Sequence, residues 1–287
     1  MPTSRGVVNC RRAIFVFAPL WALCETAAAM CSAPQRTFDL DAKNAELETA
    51  TPQEIVRFAW ETWGPDVAMQ SSFGADSASL LHLATRVVPD IRVLFLETHY
   101  HFPETLRFKE ELTRRLHLNI VELQVLKGRE WFLREHGDDL NRRDPALCCQ
   151  LNKVEPMADA LRRLGIRAYL TGIRRGQSET RRHFKVLTVE DRVRFDVPGA
   201  ENPPAETVLR GHSVIKVAPI LTWSRRQVED YLREHDLPHH PLVTEGFPSI
   251  GCWPCTSKPV DPKDERSGRW AGLGKTECGL HLPPPAP

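Results

Sequence analysis

Short apolar runs that alternate with amphipathic helical stretches constrain this chain more than any other feature. Val67-Ala68-Met69-Gln70-Ser71, Val93-Leu94-Phe95-Leu96, Ile120 to Val125 and Tyr169-Leu170-Thr171 each read as a short buried strand. Helical periodicity lies around and between them. Ile55, Phe58, Ala59 and Trp63 follow a Thr51-Pro52-Gln53-Glu54 start and stop at Gly64-Pro65. Leu80, Leu81, Ala84 and Val87 form the next stripe, then Leu106, Leu112 and Leu116, then Met157, Leu161 and Leu164 before Gly165. Ser224-Arg225-Arg226-Gln227 caps a last helix carrying Val228, Tyr231 and Leu232. Strands separated by helices at this spacing predict an α/β fold with a doubly wound, mostly parallel sheet. Ligands of such sheets bind beyond the carboxyl ends of the strands. Residues 185–217 alternate Val and Phe but are broken by Gly199 and Pro203-Pro204, which predicts short strands around a flexible loop.

The first strand runs directly into Ser71, Ser72, Phe73, Gly74, Ala75, Asp76 and Ser77, and then into a helix. That order brings free backbone N–H groups, hydroxyls and the positive end of a helix together, as an anion site requires. The fourth strand delivers Gly172-Ile173-Arg174-Arg175-Gly176-Gln177-Ser178 to the same sheet edge. Lys153, Arg174, Arg175, Arg266 and Arg269 are candidate anion clamps, although each taken singly is a residue type that usually sits on the surface. The formal net charge is +1, which excludes bulk attraction to nucleic acid; the cations cluster locally, at Arg174–Arg175, Arg181–Arg182 and Arg225–Arg226, and favour a small anionic ligand. Loop and clamp together predict a nucleotide carrying a second anionic group.

Eight cysteines in a chain of 287 residues are not spaced as a secreted disulfide framework. Cys148-Cys149 and Cys252-x-x-Cys255 supply four thiolates, enough to close one metal site. Zinc and an iron–sulfur cluster both accept four thiolates, and a redox-active Cys-x-x-Cys or vicinal disulfide is a third reading. Cys278 lies outside that set, beside Gly279 and near Lys275 and His281; cationic neighbours favour a nucleophilic thiolate.

The segments SSFGADS, ETHYHFPET, CC-x-x-x-K-V-E-P, TGIRRGQS, GCWPCT, DERSGRW and TECGLH, in that order, resemble assimilatory adenylyl-sulfate reductase. This is the thioredoxin-dependent, iron–sulfur branch of the phosphoadenylyl-sulfate reductase family, and the resemblance spans about Thr51 to His281. It implies a PP-loop (adenine nucleotide alpha hydrolase-like) fold in which Ser71 to Ser77 hold the nucleotide. It implies a 4Fe–4S cluster on Cys148, Cys149, Cys252 and Cys255. Cys278 would attack the sulfur of adenosine 5′-phosphosulfate, and reduced thioredoxin or glutaredoxin would release sulfite from the S-sulfocysteine. Lys153, Gly172, Arg174, Arg175, Arg266, Arg269 and His281 would contact the substrate. Two departures stand out: Glu97-Thr98-His99-Tyr100 where the family commonly has Asp-Thr-Gly-Tyr, and a long stretch at 191–213.

Residues 1–35 are read as an N-terminal extension, 36–250 as the nucleotide-binding domain and 251–287 as a segment carrying cluster ligands, an Arg-rich turn and the catalytic tail. Arg11–Arg12, the apolar run 13–24 and Ala27–Ala29 mimic a secretory signal, but five downstream thiols suit a reducing compartment, so an upstream extension of a cytoplasmic protein is the expectation. The run is too short to span a membrane. A homo-oligomer is compatible with the sequence. The alternatives are a reductase of the 3′-phosphorylated substrate, a branch that generally lacks the four cysteines, a PP-loop ATP pyrophosphatase or tRNA-thiolating enzyme, and a zinc-stapled binding protein.

Overall fold

The computed structural model describes residues 39–190, 214–261 and 263–281. The expectations for residues 1–35 and for 191–213 lie outside this range. The described residues from Asp39 onward fall in one compact unit.

Among the described residues, six strands form one sheet in the order β3-β2-β1-β4-β6-β5. They are β1 (Val67–Gln70), β2 (Arg92–Leu96), β3 (Asn119–Leu123), β4 (Ala168–Leu170), β5 (Leu187–Glu190) and β6 (Val214–Val217). The pairs β1–β2, β2–β3, β1–β4 and β4–β6 are parallel. Only the edge strand β5 runs antiparallel, against β6. The mostly parallel expectation therefore holds, and the residues around 185–217 that read as short strands form the exception. Strand β1 is buried at all four positions, as a central parallel strand covered on both faces must be.

Local signals explain the helices that flank the sheet. Helix α1 (Leu40–Leu47) precedes α2 (Pro52–Trp63), whose Thr51 and Glu54 form a reciprocal capping box. The Thr51 N–H donates to Glu54 Oε2 at 2.7 Å, and the Glu54 N–H to Thr51 Oγ1 at 3.3 Å. Such a cap contributes about 1 kcal/mol. Helix α3 (Ser77–Val87) follows the Ser71–Ser77 loop without interruption and buries Leu80, Leu81, Leu83 and Ala84. On the other side, α8 (Glu155–Arg163) packs Met157, Ala160 and Leu161 against Ala68, Leu94 and Tyr169.

The order of the strands places β1 between β2 and β4, so the chain leaves β1 and β4 in different directions. The crevice between the two departing loops is where such sheets bind ligands.

Candidate active site

A cleft opens at that crevice. It is lined by the Ser71–Ser77 loop after β1, by Thr171, Gly172 and Ile173 after β4, by Pro248 to Cys252, by the turn Glu265 to Trp270, and by Cys278, Leu280 and His281. Lys153 and Arg181 complete its wall. Five stretches far apart in sequence thus converge on one opening.

The loop after β1 is held from beneath. Phe73 adopts a left-handed φ of 51° and buries its ring completely, edge-on to Phe95 with centroids 5.5 Å apart. Its side chain is an anchor for the loop and does not line the cleft. Its neighbours Ser71, Ser72, Gly74, Ala75 and Ser77 do line the cleft.

Asp76 also lines the cleft, but its carboxylate is already engaged. Arg174 Nε donates to Asp76 Oδ2 at 2.8 Å, Arg225 Nη1 to Oδ1 at 2.6 Å, and Gln177 Nε2 to Oδ2 at 3.0 Å. Glu265 closes the set, accepting from Arg174 Nη2 at 2.8 Å and Arg225 Nη2 at 2.7 Å. Two acids and two guanidinium groups form a balanced quartet, with Arg174 only 1% exposed. Burial works against the charge of Arg225, but Asp76 and Glu265 outweigh it and raise its pKa. Arg174 is therefore a brace behind the loop and not a clamp facing the ligand. Arg175 points elsewhere: it pairs with Glu48 and donates to the Phe184 carbonyl, from Nε at 3.0 Å. Neither arginine lines the cleft, and the acids that pair with them are distant in sequence.

The remaining expected cations do meet. Lys153, Arg266 and Arg269 line the cleft together with Arg181, which the sequence analysis noted only as part of a local pair. Arg269 donates to the Cys255 carbonyl at 3.3 Å and lies over the Trp270 ring, 4.7 Å from its centroid. Gly251 makes room for it, because a Cβ there would stand 2.1 Å from Arg269 Nη2. Arg266 donates from Nη2 to Glu277 Oε2 at 3.0 Å and to the Thr276 carbonyl at 3.1 Å, while its Nε is buried without a partner. Burial and then the positive charge of Arg181 pull the pKa of Arg266 down to about 9, against the opposing pull of Glu277. His281 is lowered well below the usual histidine range by burial and then by Arg181, Lys216, Arg266 and Lys153, and its buried Nδ1 has no partner. The cleft thus carries more positive than negative charge, and it offers unfilled donors.

Cys278 lines this cleft, partly exposed, on the segment that ends the described chain. Glu277 beside it is buried and paired with Arg181 and Arg266.

Among the described residues, the four other cysteines line a second, smaller cavity with Thr98, Asn152, Lys153 and Trp270. Burial pushes Cys148 to about 12 and Cys149 to about 11. Burial acts the same way on Cys252, but Lys153, the Thr98 hydroxyl and Arg269 outweigh it, so this thiol is lowered. Among the described residues no three His, Cys, Asp or Glu side chains stand close enough to hold a single metal ion. The donor set is purely thiol and fits a cluster bound by four cysteines. Polar groups face those sulfurs: Thr98 Oγ1 lies 3.4 Å from Cys252 Sγ, Asn152 Nδ2 lies 3.7 Å from Cys148 Sγ, and the indole of Trp270 lies beside Cys255 in the same cavity. Lys153 borders both cavities, and its pKa is raised because the surrounding thiolates overcome a burial that would lower it.

Fold and cleft define an α/β protein whose cation-lined cleft is bordered by a cysteine. The phosphoadenosine phosphosulfate reductase domain matches residues 66–258. The chain is 39% identical over 236 residues to adenosine 5′-phosphosulfate reductase of Streptomyces coelicolor, covering 82% of this chain and 90% of that one. It is equally 39% identical over 256 residues to phosphoadenosine 5′-phosphosulfate reductase of Synechocystis, covering 85% and 91%. The crystal structure of phosphoadenylyl-sulfate reductase from Candida auris, a phosphate complex, superposes with a TM-score of 0.61 at 27% identity, covering 77% of this chain and 98% of that one. An FMN adenylyltransferase of Candida glabrata shares the fold, with a TM-score of 0.52 at 16% identity over 88% of this chain and 81% of that one. The chain belongs to the phosphoadenosine phosphosulfate reductase family.

Proposed function

We propose that this protein reduces adenosine 5′-phosphosulfate to sulfite and AMP, the reduction step of assimilatory sulfate use. The observation that carries the reading is the excess of positive charge around Cys278. A thiolate attacking a phosphosulfate brings two anions together, and Lys153, Arg181, Arg266 and Arg269 are positioned to offset both. The Ser71–Ser77 loop and the start of α3 would cradle the phosphate through backbone N–H groups and hydroxyls.

In this reading Cys278 Sγ attacks the sulfate sulfur. An S–S bond forms, the sulfur–oxygen bond to the phosphate breaks, and AMP leaves with the bonding pair. The enzyme is left as an S-sulfocysteine. A thiolate of reduced thioredoxin then attacks Cys278 Sγ and expels sulfite; the second thioredoxin thiol resolves the mixed disulfide. Two electrons pass from the dithiol to sulfur. The Nδ1 of His281 and Nε of Arg266, both lacking partners, are the natural donors to sulfate or phosphate oxygens. When bound by Cys148, Cys149, Cys252 and Cys255, a 4Fe–4S cluster supplies electrostatic and structural support beside Lys153. Thiols kept free for such roles suit the cytoplasm, and among the described residues no helix is long and apolar enough to cross a membrane.

The relatives named for the substrate without the 3′-phosphate, and the four cysteines, favour that substrate. Cys278→Ser is expected to abolish sulfite release while AMP binding and the visible absorbance of the cluster persist. Residual turnover in that variant, or faster turnover of the 3′-phosphorylated substrate by the wild type, would overturn the corresponding part of the reading.

A further inference from the structure

The mechanism above uses Cys278 but not the buried acid next to it. Glu277 is 3% exposed on a segment where the preceding Thr276 is exposed and Lys275 half-buried. Its two oxygens take separate bonds from one guanidinium: Arg181 Nε to Oε1 at 2.7 Å and Arg181 Nη2 to Oε2 at 2.9 Å. Arg266 adds a third bond to Oε2 at 3.0 Å. Arg181 is itself 4% exposed and is oriented by Gln177 in the loop after β4. On the far side of the cysteine, Gly279 has a φ of 90°, and a Cβ there would meet Val154 Cγ2 at 2.9 Å. Lys216 Nζ donates to the Leu280 carbonyl at 2.7 Å. The reactive residue is thus held by a charge pair before it and by close packing after it.

We infer that Glu277, through its two-point pair with Arg181, is the positioning residue that latches the tail and sets how long Cys278 stays in the cleft. The inference rests on the reading of Cys278 as the nucleophile. A carboxylate buried this deeply is stable only while paired, because its desolvation costs several kcal/mol if the partner is lost. The two-toothed geometry fixes direction as well as distance, so it orients the backbone of the next residue. Releasing the tail rehydrates Glu277, which makes the latch reversible. That suits a reaction in which Cys278 must first face the cleft and later meet a second thiol. Arg266 joins the latch to the ligand, since the same guanidinium serves Glu277 and faces the cleft.

The test follows modification of Cys278 by iodoacetamide, read peptide by peptide by mass spectrometry so that other thiols do not interfere, on cluster-loaded enzyme. Glu277→Gln is expected to speed modification of Cys278 about tenfold or more. It should slow AMP release in a single turnover by a similar factor while leaving the affinity for AMP within about twofold. Release of sulfite by thioredoxin from enzyme already sulfonated should be as fast as in the wild type or faster. Glu277→Asp, which keeps the charge, should recover most of both effects. In a double-mutant cycle, Arg181→Gln combined with Glu277→Gln should be no worse than the worse single variant. Wild-type modification rates in Glu277→Gln, or additive losses in the cycle, would overturn the latch. Modification rates do not depend on turnover, so this outcome is separate from that of Cys278→Ser, which tests the nucleophile itself.

Discussion

Two groups of charges, one behind the Ser71–Ser77 loop and one along the cleft wall, are built in opposite ways. Asp76, Glu265, Arg174 and Arg225 are matched two against two, and each acid meets both guanidinium groups. Lys153, Arg181, Arg266 and Arg269 line the cleft together, and Glu277 pairs with only two of them, Arg181 and Arg266. The first group is complete without a ligand, and its work is to tie the Ser71–Ser77 loop, the loop after β4, helix α9 (Arg225–Glu234) and the Glu265–Trp270 turn into one frame. The second group has fewer acids than bases, and Arg266 and His281 have lowered pKa values because of burial first and then the repulsion of neighbouring cations such as Arg181. A balanced buried network stabilises a shape, whereas an unbalanced one holds a place for an anion.

Substitutions should separate the two groups. Asp76→Ala strikes the balanced quartet and leaves Arg174 buried without its Nε partner. It should lower stability by about 3–5 kcal/mol, visible as a large drop in the unfolding midpoint. Arg266→Ala strikes the unbalanced group. It should cost about 10²–10³ in kcat/KM, as loss of a charge-stabilising donor does, while the unfolding midpoint falls far less than for Asp76→Ala. A larger stability loss in Arg266→Ala than in Asp76→Ala would erase the distinction.

Ligand binding should show the same contrast. AMP with sulfite, or sulfate alone, should raise the unfolding midpoint of the wild type, and Arg266→Ala should lose most of that gain. The pH dependence has a defined sign. His281 is neutral in the free protein because its folded pKa is lowered, so the unfolded state binds more protons just below pH 6.5, and ligand-free stability should fall as pH drops through that value. A bound anion favours protonated His281, so sulfate should bind more tightly at pH 6 than at pH 8; calorimetry in two buffers should detect the proton uptake. The smallest effect is expected from Arg175→Ala. Its pair with Glu48 is partly exposed and outside the cleft, so about 0–1 kcal/mol of stability and no kcat/KM should be lost.

What the sequence revealed depended on whether the physics was local. Thr51-Pro52-Gln53-Glu54 forms its capping box from four consecutive residues, and strands β1 to β4 follow from apolar runs, so both were legible. The Ser71–Ser77 loop was legible as a strand-to-helix turn at the sheet edge because strand, small residues and helix adjoin in the chain. Arg174 and Arg175 were not, because neighbouring residues on one loop project to opposite sides, and only Asp76, Glu265 and Glu48 decide which is which. The same limit hid Arg181, whose role depends on an acid 96 positions away. Glu277 was visible as a neighbour of Cys278, but nothing local shows that it is buried. Phe73 misled for a different reason: it sits in a ligand loop by sequence, yet its left-handed backbone turns the ring into the core.

One wide turn links the two cavities. Gln150–Val154 is a π-helical turn set directly after Cys148-Cys149, between α7 (Pro145–Cys149) and α8. Lys153, Met157 and Leu161 are spaced four apart, so an unbroken α-helix would stack all three along the stripe that faces the sheet. The extra residue changes the rotational phase: Met157 and Leu161 stay on the core stripe, while Lys153 is carried round to the thiols and the anion cleft. The same turn presents Val154 to Gly279. Removing one residue from it would preserve the composition of the site and yet re-aim the ammonium group and the seat of the tail together, so the helix acts as a gear with one deliberately offset tooth.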